Sequence, residues 1–199
     1  MNRSTMLMTG GVVLVAAVAL GVAIVTAPDV EDSLAFGTVE VEGDSLSRFE
    51  GGTDPSIGRA APALSGITWE EAPISFEPGG DPAVVLFLAH WCDHCRAEVP
   101  RLQGWLDETE EPENVRLFSV ATSSNKLQPN FPPSDWLEEE GWTAPVMFDD
   151  AVGTAAEAYG VASFPFWAVV DGDGDVVLRF SGQLDESGIE QLWEFASGL

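Results

Sequence analysis

The residues best placed to do chemistry are Cys92 and Cys95, the only cysteines in a chain of 199 residues. They lie in Trp91-Cys92-Asp93-His94-Cys95, directly after the apolar run 83–89. Two thiols at i and i+3 on the first turn of a helix lie side by side, close enough to close a disulfide. The first stands where unpaired backbone N–H groups and the helix dipole stabilise a thiolate. The chemistry open to such a pair is exchange, in which one thiolate attacks a partner disulfide and the other thiol resolves the mixed disulfide. A static staple is the weaker account, because so small a ring removes little chain entropy. The neighbours set the balance. A protonated His94, or Arg96, favours the Cys92 thiolate, whereas Asp93 and Glu98 oppose it. Glu98 lies one turn after Cys95. Buried there, its carboxyl would titrate high and could take the Cys95 proton.

The elements that must position this pair are legible as short apolar runs. Residues 83–89 and 115–121 read as strands buried on both faces, since they lack the alternation of a half-wetted strand. Residues 94–106 between them carry helical spacing, which gives a strand–helix–strand unit. Residues 166–170 and 176–180 flank Asp171-Gly172-Asp173-Gly174-Asp175, a hairpin signal. Residues 185–196 place Ile189, Leu192, Trp193 and Ala196 on one helical face. The expected architecture is α/β, a mixed sheet with a parallel centre and a hairpin edge, flanked by helices. Residues 122–145 form a longer excursion with a short helix near 135–140. The acidic turn is not an EF-hand loop, which requires Gly at its sixth position and Glu at its twelfth, here Val176 and Gly182.

Ahead of this domain, residues 6–27 form an uncharged apolar run long enough to cross a bilayer at about 1.5 Å per residue. Arg3 precedes the run and Asp29, Glu31 and Asp32 follow it. This predicts a short cytoplasmic tail (1–5), an uncleaved transmembrane signal anchor (6–27) and everything beyond outside the cytoplasm. Residues 28–57, acidic and rich in Gly and Ser, read as a flexible linker holding domain 58–199 off the membrane. All 33 Asp and Glu follow Ala27, as do all but Arg3 of the eight Lys and Arg. Such a surface repels nucleic acid and anionic headgroups. An exported domain with only two cysteines keeps them for chemistry rather than as a disulfide scaffold.

These residues resemble a family, the membrane-anchored thiol–disulfide oxidoreductases of the TlpA/ResA type, with a thioredoxin fold, within the redoxin group. The resemblance runs from Gly58-Arg59-Ala60-Ala61-Pro62 through Phe87-Leu88-Ala89-His90-Trp91-Cys92 and Tyr159-Gly160-Val161-Ala162-Ser163-Phe164-Pro165 to Val170-Asp171-Gly172-Asp173-Gly174. It implies that Cys92 is the exposed nucleophile and Cys95 the buried resolving thiol. It further implies that Pro165 is a cis-proline facing the disulfide, that Glu98 handles protons, and that Pro100 kinks the active-site helix. Leu86 stands where cytoplasmic thioredoxins carry a buried aspartate, which favours the Glu98 arrangement. Phe164 and Pro165 would receive an extended client, with Trp91, Phe166 and Trp167 as further apolar rim. The expected partners are protein disulfides or dithiols together with a membrane thiol carrier or oxidase. As a reductant the chain would serve apocytochrome c; as an oxidant it would insert disulfides into exported proteins. His94 directly before the second cysteine is shared with strongly oxidising relatives of the fold and predicts a midpoint above thioredoxin's, about −270 mV.

Two further readings are weaker. His90, Cys92, His94 and Cys95 crowd together, but four ligands so close in sequence do not surround one ion when the cysteines begin a helix. No metal is expected, and no cofactor beyond the redox-active disulfide. A peroxidase of the redoxin type has Thr three residues before its reactive cysteine, where this chain has Ala89. The alternative from another class is a binding or copper-assembly module whose disulfide only locks the fold.

Overall fold

The computed structural model describes residues 35–109 and 114–199. The proposed anchor, 6–27, lies outside the described residues, among which no helix is long and apolar enough to cross a membrane. Among the described residues, eight strands form one sheet: β1 (Glu40–Glu42), β2 (Ala63–Ile67), β3 (Pro73–Phe76), β4 (Ala83–Leu88), β5 (Arg116–Ala121), β6 (Val146–Phe148), β7 (Phe166–Val170) and β8 (Val176–Ser181). The helices are α1 (Asp93–Glu108), α2 (Pro133–Glu139), α3 (Thr154–Ala158) and α4 (Glu186–Ser197). The sheet order is β1-β2-β6-β5-β4-β7-β8, with β3 also paired to β2. β4 runs parallel to β5, and β5 to β6, while β7 is antiparallel to β4. The parallel centre and hairpin edge expected from the sequence are both present.

β4 is apolar throughout because both of its faces are covered. Val84, Leu86 and Leu88 point toward the layer made by α1 and α4, where they join Val99, Leu102, Ile189 and Trp193. Ala83, Val85 and Phe87 face the other layer, with Ala155, Tyr159 and Phe166. At about 1.5–3 kcal/mol for each fully buried Val, Leu or Phe side chain, this strand fixes the place from which the Cys92 turn departs. Trp105 of α1 and Trp193 of α4 pack ring to ring at 5.0 Å.

The expectation of a flexible linker through residue 57 is corrected from Ala35 onward. That stretch is folded onto the domain although it is acidic. Leu46 N–H donates to the Ala158 carbonyl and Phe49 N–H to the Gly160 carbonyl, both at 2.8 Å. Gly160 has φ +63°, and a Cβ there would overlap the Ser47 carbonyl, so glycine permits the close approach. The fixing point is Asp54, whose carboxylate meets the buried Arg179 guanidinium at 2.6 and 2.8 Å. Arg179 also donates to the Ser47 and Tyr159 carbonyls. A buried cation with all these acceptors holds the segment in one place.

Candidate active site

The turn from β4 places Cys92 at the N-cap of α1 in extended conformation (φ −77°, ψ 117°), with its carbonyl accepting from Arg96 N–H at 3.0 Å. Cys95 follows as the third helical residue. Cys92 is 9 % exposed and Cys95 fully buried, both as free thiols. The Cys92 thiol donates toward the Phe164 carbonyl at 3.5 Å, and the Phe164–Pro165 peptide is cis. Pro165 therefore follows directly on the carbonyl that faces the Cys92 thiol. Phe164 is half-buried and packs its ring edge-on against Trp91 at 6.0 Å and 88°. Trp91 is also half-buried and donates its indole N–H to the Ser123 carbonyl at 2.8 Å. Phe166 and Trp167 do not share this rim, because both are fully buried in the core.

Burial pushes the Cys95 thiol far above its ordinary range, and the nearby Cys92 and Glu98 charges add to the rise. Glu98, also fully buried, has its carboxyl raised by burial to about 7, against the lowering effect of the Leu184 N–H and the Arg101 charge. Its Oε2 accepts from Leu184 N–H at 2.9 Å and from Arg101 at 3.5 Å, whereas Oε1 has no hydrogen-bond partner. An acid half-ionised near neutrality, interacting electrostatically with a thiol that resists ionisation, is suited to proton transfer.

The two histidines separate. His90 is 1 % exposed, and its Nδ1 donates to the Pro129 carbonyl at 2.7 Å while Nε2 accepts from Asn125 N–H at 3.0 Å. Burial keeps the ring neutral by lowering its pKa. With both nitrogens engaged, His90 pins the loop after β5 and has no lone pair left for a metal. His94 is exposed, with Nδ1 at 2.8 Å from Gln183 Oε1. Asp93 is exposed and pairs with Arg96 at 3.1 Å. Pro100 lies inside α1 on its exposed side.

Sequence reasoning missed the loop that closes the site. Gly182 N–H donates to the Pro165 carbonyl at 2.9 Å, Gln183 meets His94, and Leu184 meets Glu98 through its N–H and Arg101 through its carbonyl (2.7 Å). The segment 182–184 thus ties the proline wall to α1. These partners are more than eighty positions from α1 in sequence, for example |i−j| = 89 for His94 and Gln183, and carry no motif.

Comparison with known proteins fits this geometry. The AhpC/TSA family model matches residues 57–179. A curated relative, the "Thiol:disulfide interchange protein DsbE homolog" of Paracoccus denitrificans, is 29 % identical over 153 residues, covering 74 % of this chain and 80 % of its own. Among solved structures, a thiol:disulfide interchange protein of the thioredoxin family from Chlorobium tepidum aligns with a TM-score of 0.57 and 22 % identity, over 73 % of this chain and 100 % of its own. StoA from Bacillus subtilis aligns with a TM-score of 0.54 and 21 % identity, over 71 % and 98 %. These two likenesses identify the fold as that of thioredoxin.

Proposed function

We propose, from the premise that this chain belongs to the AhpC/TSA family, that Cys92 and Cys95 exchange electrons with protein disulfides outside the cytoplasm. The chain is a thiol–disulfide oxidoreductase of the TlpA/ResA/DsbE-like kind. The observation carrying the exchange chemistry is the helix-capping Cys92 thiol, 3.5 Å from the carbonyl that precedes cis-Pro165, with the buried Cys95 and Glu98 behind it. In the reducing direction the Cys92 thiolate attacks a client sulfur and releases the client's first thiolate. Cys95 then transfers its proton to Glu98 and attacks the Cys92 sulfur. The client's second thiolate leaves, and two electrons have passed to the client. The half-buried Phe164 and Trp91 receive the client strand, with backbone pairing beside Pro165, which has no N–H of its own.

We favour the reductant over the oxidant. Burial and Glu98 both work against charge on Cys95, and a dithiol whose thiolates are poorly stabilised holds its electrons less tightly. The proposed clients are disulfides of exported proteins, the CxxCH pair of apocytochrome c among them. The proposed setting is a single-pass anchor at 6–27, with a membrane thiol carrier resupplying electrons. Two experiments in intact cells test this. Cys95→Ser should trap exported clients on Cys92 as mixed disulfides, and the wild-type pair should stand mainly as the dithiol. A pair found mainly as disulfide would make the chain an oxidant. Unchanged cell output from the Cys92→Ser, Cys95→Ser double variant would leave it a binding module.

A further inference from the structure

The acidic segment ahead of β2 lies along the chain that leads into cis-Pro165, and that chain's carbonyls are taken up one after another. Leu46 N–H donates to the Ala158 carbonyl and Phe49 N–H to the Gly160 carbonyl, both at 2.8 Å. Between them the Tyr159 carbonyl accepts from Arg179 at 2.7 Å, and Arg179 is tied to the same segment through the Asp54 carboxylate and the Ser47 carbonyl. The next two carbonyls, those of Val161 and Ala162, each accept from the Arg48 guanidinium at 3.3 Å. Every carbonyl from 158 to 162 is thus held by residues 46–49 or by the arginine that Asp54 pairs. Two residues further on, the Phe164 carbonyl faces the Cys92 thiol at 3.5 Å and the cis bond to Pro165 follows.

Arg48 differs from the other described arginines. Arg59, Arg96, Arg101 and Arg179 each have a carboxylate at 2.6–3.9 Å. Arg116 donates to three carbonyls of the loop 77–81. Among the described residues no carboxylate pairs with Arg48, and its fork spans two successive carbonyls instead. An ammonium, a point charge on a flexible stem, has no such fork. Arg48 shares a cavity of about 530 Å³ with Gly153, Ala156, Gly160 and Phe164, so it stands on the wall that also carries the ring beside the thiol. The neighbouring Phe49 fixes both ends of this stretch. Its N–H holds Gly160, and its ring packs edge-on against Phe166, the residue after Pro165, at 5.7 Å and 71°. Between those ends burial contributes little, because Val161, Ala162 and Phe164 are half-buried and Ser163 is exposed. A stretch with so few buried contacts opens readily unless its backbone is held by other means.

We propose that Arg48 is a positioning residue for exchange, which clamps the Val161 and Ala162 carbonyls and so presets the 161–164 backbone on which the client strand pairs. This rests on the exchange reading under Proposed function. Arg48 touches no reacting atom; it acts through the loop. Strand addition is favourable when the receiving backbone already has its bound shape, since a loop that must first be ordered gives up part of the binding energy. Position matters as much as affinity, because a misplacement of about 1 Å between reacting groups costs about 100-fold in rate. Residues 46–54, anchored by Asp54 on Arg179 and reaching the loop through Arg48, therefore form part of the client-binding apparatus.

The full chain in detergent, as wild type, Arg48→Met and Arg48→Lys, tests the clamp against a peptide disulfide and a small aromatic disulfide that needs no strand contact. In Arg48→Met, kcat/KM for the peptide relative to that for the small disulfide should fall about tenfold, mainly through KM. Hydrogen exchange at the Ser163 and Phe164 amides should speed up about tenfold, while the amides of β8 keep their wild-type protection. Arg48→Lys should recover only part of both effects, because it lacks the fork. A ratio that holds, whether both rates fall or neither does, overturns the role, and so does unchanged exchange at 163 and 164. Full recovery in Arg48→Lys assigns the effect to charge alone and overturns the two-carbonyl clamp. A loss seen with Glu beside the peptide cysteine but not with Gln there makes Arg48 a contact for a client acid, which also overturns it. All three results leave the exchange reading intact as long as wild type is active. Wild type that exchanges with neither disulfide overturns that reading and this role with it.

Discussion

Substituting Glu98 by Gln should change the shape of the pH–rate profile, not only its height. The informative step is resolution, in which Cys95 attacks the mixed disulfide on Cys92 and must lose a proton that burial holds tightly. With Glu98 as base, the rate follows the ionised fraction of a carboxyl titrating at about 7. That fraction is about 0.03 at pH 5.5 and about 0.9 at pH 8, so the wild-type rate should climb about thirty-fold and then level off. Without the base, the rate follows the Cys95 thiolate itself and keeps rising by about tenfold per pH unit, with no plateau through pH 9. At pH 7 the variant should be slower by about 100-fold or more, the usual contribution of a positioned base. The assay loads Cys92 with a chromophoric aromatic thiol and follows its release in single-turnover mixing across the pH range. The side-chain amide of Glu98→Gln keeps an oxygen for Leu184 N–H, so the loop contact at 2.9 Å can survive the change. Parallel profiles, both levelling near pH 7, would refute the role given to Glu98.

The same carboxyl makes a stability prediction. Its folded pKa of about 7 lies above the ordinary 4.5, so its contribution is fully present below pH 4.5 and is lost as pH rises through 7. Between pH 4.5 and 8, wild type should therefore lose about 3 kcal/mol relative to Glu98→Gln in chemical denaturation of the reduced form. Asp54→Ala should cost about 3–5 kcal/mol, read as a lower melting temperature, because it leaves the Arg179 guanidinium buried without its counter-ion. The Arg179 bond holds the Asp54 carboxyl below the usual carboxylate range, so that contribution is present above the ordinary pKa and fades as pH falls through the lowered one. His90→Phe should leave Asn125 N–H and the Pro129 carbonyl without the ring that joins them, costing about 1–3 kcal/mol. Limited proteolysis within 123–130 should then speed up.

What the sequence made legible is what local pattern encodes. β4, buried on both faces, reads as an unbroken apolar run, and α1 reads from its spacing, so the Cys92–Cys95 turn could be placed between them. β7, β8 and their acidic turn follow from Asp and Gly chemistry. β6 and α3 were missed because three and five residues are too few to establish a period. Residues 35–57 fold onto the domain where their composition predicts a linker, because acidic composition hides a handful of fixing points. One of these, Asp54 on Arg179, joins positions 125 apart. His90 and His94 looked alike as members of one cluster. Only tertiary structure shows that the first pins a loop with both nitrogens and that the second meets Gln183.

The central claim is that Cys92 attacks and Cys95 resolves, and intact-mass analysis after mixing with a peptide disulfide tests it most directly. The reduced Cys95→Ser chain should accumulate one covalently bound peptide, on Cys92, that a small thiol removes. Wild type should turn the peptide over without retaining it and end as the Cys92–Cys95 disulfide. Accumulation on Cys95 in Cys92→Ser at a comparable rate, or no adduct on Cys92 at all, would contradict the account.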